Sequence, residues 1–122
     1  MSEWKTRITK VQVVKPAKET GEACLVLIYP PGPDMGKRFA LTRNEIVLGR
    51  GADCDIQVDR DSVSRRHARV FRTGEAWSVE DLQSTNGTLV DGQKITGPVE
   101  LQNHSEFQIG STTIMLIVTD DV

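Results

Sequence analysis

From residue 23 onward the hydrophobic positions come in short, β-branched-rich runs. Turn chemistry breaks them every roughly six to twelve residues, and no stretch holds the period of an amphipathic helix. Residues 23–30 form one continuous apolar run, followed by the loop Pro30-Pro31-Gly32-Pro33-Asp34. Further strands are expected at 37–41, 45–49, 55–58, 67–71, 76–82, 88–90, 93–95, 98–101, 106–109 and 112–118. His67-Ala68-Arg69-Val70-Phe71 and Trp77-Ser78-Val79-Glu80 show the alternation of half-buried strands. Asp91-Gly92, between two short apolar stretches, is a two-residue hairpin signal. About eleven strands of this kind predict an all-β, antiparallel sandwich.

Residues 1–22 read differently. Thr6 to Val13 alternates weakly and 15–22 is charged and turn-like, so this stretch is either an added edge strand or a tail. Residues 23–119 then make the domain, and 120–122 the start of a linker. The 122 residues suffice for one domain with its own core.

Composition narrows the function by exclusion. Net charge is −2 at pH 7, which disfavours binding nucleic acid through the bulk field. Five arginines nevertheless crowd together at Arg60, Arg65, Arg66, Arg69 and Arg72. No apolar run approaches the roughly 20 residues of a membrane helix, and the amino end has no secretory pattern. A cytoplasmic protein with no membrane contact is expected, with Cys24 and Cys54 as free, buried thiols. The acidic string Asp53, Asp55, Asp59 and Asp61 lacks the spacing of a calcium loop. No metal and no cofactor are expected.

Three islands carry the chemistry: Leu48-Gly49-Arg50, Ser64-Arg65-Arg66-His67 and Ser84-Thr85-Asn86-Gly87-Thr88. Each falls where a strand gives way to a loop. A phosphate monoester has about −1.5 to −2 charges at pH 7 and three strong acceptor oxygens. Arginine forks and hydroxyl donors suit it. Arg50, Ser64, Arg65 and Thr85 supply these groups, while the amide of Asn86 both donates and accepts, matching a peptide unit. Ser64 and His67 lack a nucleophile elbow, so the set is not catalytic.

The Gly-Arg, Ser-x-x-His and Asn-Gly-Thr motifs, in this order and spacing, resemble the forkhead-associated (FHA) domain family over residues 23–119. The resemblance implies an eleven-stranded sandwich that binds phosphothreonine peptides through loops at one end. It implies that Arg50, Ser64, Arg65 and Thr85 meet the phosphate or its surroundings, and that Asn86 holds the peptide main chain. Gly49, His67 and Gly87 then support the site. Ser62, Val63, Gly110 and Ser111 are expected in the loops that select the residue three after the phosphothreonine. The implied partner is a phosphothreonine protein or peptide, downstream of a Ser/Thr kinase. Family relatives are often fused to outputs such as diguanylate cyclases. A tethered variant of this reading makes phosphorylated Thr6 or Thr9 the chain's own ligand. The competing reading is a phospho-independent scaffold or oligomerisation domain on the same fold.

Overall fold

The computed structural model describes residues 22–119, and within them every regular element is a strand. The expectations for Thr6, Thr9 and the two chain ends lie outside the described residues. In chain order the strands are β1 (Glu22–Tyr29), β2 (Arg38–Ala40), β3 (Glu45–Gly49), β4 (Ile56–Gln57), β5 (Ala68–Thr73), β6 (Ala76–Asp81), β7 (Thr88–Val90), β8 (Gln93–Lys94), β9 (Val99–Leu101), β10 (Glu106–Ile109) and β11 (Thr112–Thr119). Eleven strands form, as the pattern predicts, with ends within a residue or two of the expected ones.

Two sheets face each other. One has the order β2-β1-β11-β10-β7-β8 and the other β4-β3-β5-β6-β9. Alternation decides which side chains fill the space between them. In β5, Ala68 and Val70 are buried while Arg69 and Phe71 are half-buried. In β6, Trp77 and Val79 point inward against Ser78 and Glu80. Leu25, Leu48, Phe107, Ile109 and Leu116 are fully enclosed. Each such side chain contributes about 1.5–3 kcal/mol of burial. On the outer face Arg69 bridges Glu45 of β3 and Glu80 of β6, both at 2.7 Å. It also lies over the Phe71 ring, 4.1 Å from the centroid. With Arg69 and Glu80 about a third exposed and Glu45 about half, these pairs fix strand alignment more than they add stability.

Three expectations need correction. The sandwich is not wholly antiparallel, because β3 and β4 run parallel, with Leu48 beside Ile56 and Gly49 beside Gln57. A full loop, not a hairpin, joins them. The Cys54 amide closes its turn on the Gly51 carbonyl at 3.2 Å. The Asp55 carboxylate then accepts the Val47 amide at 2.8 Å, where a neighbouring strand would place a carbonyl. Asp55 also pairs with Arg43, which accounts for one member of the acidic string. Among the described residues no group of three or more His, Cys, Asp or Glu could hold a metal ion. Second, Cys24 and Cys54 are free but only half-buried. Cys24 lies in β1 between β2 and β11 and alternates with the core residues Ala23 and Leu25, while Cys54 sits in the turn before β4. Third, Val63 is a core residue with 1% exposure, not a side chain on the loop surface. No helix among the described residues is long and apolar enough to cross a membrane.

Candidate functional site

The turns after β3, β4, β6 and β10 meet at one end of the sandwich, and backbone bonds lock them together. The Arg50 amide donates to the Ser64 carbonyl at 2.9 Å, and the Gly51 amide to Arg65 at 3.1 Å. His67 closes the same path with its amide on Leu48 at 2.9 Å. This approach requires glycine at position 49. A Cβ there would collide with the Arg65 carbonyl oxygen and sit 2.9 Å from the Cys54 sulfur. The Cys54 thiol donates to that Arg65 carbonyl at 2.9 Å. Burial, with the nearby Asp53 carboxylate, pushes this thiol's pKa up, so the protonated donor form is favoured.

Arg50 leaves the end of β3 and is exposed. Its Nε donates to the Val63 carbonyl at 2.9 Å, which fixes the guanidinium plane. Its own carbonyl accepts from the Gln57 side chain at 3.1 Å. Among the described residues the terminal guanidinium nitrogens take no hydrogen-bond partner. Arg65 and Arg66 are also exposed.

His67 is fully buried beneath these loops. The Ser64 amide donates to its Nδ1 at 3.0 Å, and Nε2 lies 2.8 Å from the Gly87 carbonyl. An acceptor Nδ1 assigns the proton to Nε2, which therefore donates to Gly87. One imidazole thus ties the Ser64 loop to the Asn86-Gly87 loop. The Ser64 hydroxyl completes the link by accepting the Thr85 amide at 3.0 Å. Gly87 turns with φ of 84°, a conformation that disfavours side chains.

Asp81, at the end of β6, anchors the third loop and is the residue the sequence reading missed. Its carboxylate accepts the Ser84 hydroxyl at 2.6 Å, the Ser84 amide at 3.1 Å and the Thr88 hydroxyl at 2.7 Å. Ser84 in turn accepts the Gly87 amide at 2.8 Å. Burial alone would raise the Asp81 pKa, but these hydrogen bonds outweigh it and the net shift is downward. The legible signal was Asp-x-x-Ser at a strand end, an Asx-type turn.

Asn86 is exposed and its Nδ2 donates to the Ser62 carbonyl at 2.8 Å, so its oxygen faces outward as an acceptor. The Ser62 hydroxyl accepts the Ser111 amide at 2.9 Å and sits 2.9 Å from the Ser111 hydroxyl. Gly110 lies directly against Ser62. Arg50, Ser62, Ser64, Arg65, Thr85, Asn86, Gly110 and Ser111 therefore share one surface. Val63 contributes only its backbone to it.

The FHA domain model matches residues 46–110, which hold all three motifs. The chain belongs to the FHA domain family. FHA domain-containing protein FhaB of Mycobacterium tuberculosis is 36% identical over 100 residues, 82% of this chain and 64% of that protein. The chain thus spans less than two-thirds of that relative's length. An FHA domain solved in a study of phosphothreonine-dependent FHA domain interactions superposes with a TM-score of 0.70. It is 26% identical, with 79% of this chain and 95% of that one covered. Mycobacterium tuberculosis EmbR, in complex with a low-affinity phosphopeptide, superposes with a TM-score of 0.76 at 26% identity. That match covers 88% of this FHA chain and 27% of EmbR.

Proposed function

We propose that this FHA domain is a non-enzymatic reader of phosphothreonine peptides in Ser/Thr-kinase signalling. The carrying observation is that Ser64 touches both other loops, through its carbonyl to Arg50 and its hydroxyl to Thr85. These bonds tie together the loops that carry Arg50, Ser64, Arg65 and Thr85, which supports one shared anion site. The phosphate takes the Arg50 fork and the Ser64 and Thr85 hydroxyls. The outward oxygen of Asn86 accepts an amide of the following residue. Ser62 and Ser111 border the course of later residues. Gly49, His67 and Gly87 hold the loops in this arrangement. A non-enzymatic role is supported by His67, which spends both ring nitrogens on backbone groups.

Two extensions belong to the same reading. The chain's own phosphorylated Thr6 or Thr9 is one ligand source, and a fused output such as a diguanylate cyclase is one effector. A cytoplasmic setting follows from the kinase partner.

Calorimetric titration with one peptide in phosphothreonine, phosphoserine and unphosphorylated forms tests the proposal. Binding restricted to phosphothreonine is expected; discrimination from phosphoserine requires a recess that rewards the extra methyl group by about 1 kcal/mol. Equal binding of the unphosphorylated peptide would replace it with the scaffold reading.

A further inference from the structure

The chain has three asparagines, Asn44, Asn86 and Asn103, and only Asn86 precedes a glycine. An asparagine followed by glycine is chemically labile. The next amide nitrogen, once deprotonated, attacks the side-chain carbonyl carbon, and glycine has no side chain to obstruct that approach. Glu45 and His104 follow the other two asparagines and do obstruct it. The fold nevertheless makes use of both members of the labile pair. Asn86 supplies the amide that bridges to the Ser62 carbonyl. Gly87 has φ of 84°, and a Cβ there would meet Lys94 Cε at 2.5 Å and Cδ at 3.2 Å.

Two hydrogen bonds oppose the reaction. The Gly87 amide, the attacking group, donates to the Ser84 hydroxyl oxygen at 2.8 Å. Ser84 is itself tied to the Asp81 carboxylate, through its hydroxyl at 2.6 Å and its amide at 3.1 Å. A carboxylate one hydrogen bond away disfavours the negative charge that the Gly87 nitrogen must develop. The Asn86 carboxamide, the group attacked, donates from Nδ2 to the Ser62 carbonyl at 2.8 Å. The two reacting groups are therefore held by separate loops. His67 Nε2 holds the Gly87 carbonyl from beneath at 2.8 Å.

We propose that Asn86-Gly87 is a deamidation site kept closed by Ser84 and Ser62, and that its conversion permanently silences the loop end. The step balances with water alone. The Gly87 nitrogen bonds to Asn86 Cγ, the Cγ–Nδ2 bond breaks, and ammonia leaves with the amide proton. Water then opens the cyclic imide at either carbonyl, giving aspartate or isoaspartate. Nothing is oxidised or reduced. The product carboxylate has no donor for the Ser62 carbonyl and sets acceptors against it. The silencing rests on the phosphothreonine reading, since the new charge stands beside the place assigned to a phosphate of about −1.5 to −2. The closure does not rest on it.

Peptide mass spectrometry of the 122-residue chain, aged in mildly alkaline buffer without phosphopeptide, tests the closure. In chain unfolded with urea, conversion is expected at Asn86 and not at Asn44 or Asn103. The native chain should convert Asn86 roughly tenfold or more slower, because the loop must open first. Ser84→Ala, with its fold checked by circular dichroism, should recover most of that difference. Ser84→Thr keeps the hydroxyl and should stay slow. Ile46→Ala loosens the core without touching these loops and should also stay slow. Equal rates in native and unfolded chain would overturn the proposal, as would a Ser84→Ala rate no faster than that of Ile46→Ala. Asn86→Asp tests the silencing, in calorimetry with a phosphothreonine peptide that the unaltered chain binds. Binding weaker by roughly tenfold or more is expected, and unchanged affinity would overturn the silencing. The mass measurement contains no peptide, so a failure of the phosphothreonine reading shows itself only in the titration.

Discussion

A fully enclosed imidazole with two backbone partners has no solvent to replace either of them. His67→Ala would orphan the Ser64 amide and the Gly87 carbonyl. Each buried unpaired group costs about 1–3 kcal/mol, so a loss of about 3 kcal/mol in a urea-unfolding experiment is expected. Arg50 behaves in the opposite way. Arg50→Ala removes one bond to Val63, about 1 kcal/mol of stability, yet should weaken phosphopeptide binding by roughly 100-fold in calorimetry. Arg50→Lys keeps the charge but not the fork, so its affinity should fall between the two. Asp81 sets an acid limit. Its folded pKa lies below the unfolded value of about 3.9, so its contribution is complete above that value and is lost as pH falls through the folded one. Urea midpoints measured from about pH 6 to about pH 2 should show a shallower acid decline in Asp81→Asn, from a lower starting stability.

The elements set where these residues end up. β3 delivers Arg50 from a rigid strand end, and its parallel neighbour β4 swings the next loop back over the Gly49 backbone. Gly49→Ala should therefore reduce both stability and peptide binding, because the Arg65 carbonyl must move and Ser64 moves with it. Parallel loss in thermal melts and titrations would check this; intact binding would contradict it. Val63 pins the middle of the β4–β5 loop into the core, with Ser62 on one side and Ser64 on the other. Val63→Ala should cost about 2 kcal/mol without touching the ligand. Alternation revealed most strands because each sheet has one buried face. It gave no hint of the β3–β4 orientation, since two residues are too few to show a pattern and a loop's path is not a periodic property.

At the scale of the molecule, two sheets close over one core and leave the loops of the candidate site gathered at one end. The loop end is held by long-range contacts, such as Ser62 to Ser111 and His67 to Gly87, that join distant parts of the chain. It should consequently lose its order together with the core. Peptide binding and tryptophan fluorescence should then show one coincident urea transition. By itself the sequence determined the class of fold, the number of strands and the three motif islands. Hydrophobic period, turn residues and donor chemistry are local and can be read in order along the chain. Only the tertiary structure decided that Val63 faces inward, that β4 runs parallel and that Asp81 anchors the third loop. Each of these depends on which non-neighbouring groups meet, and that is fixed by packing rather than by any run of residues.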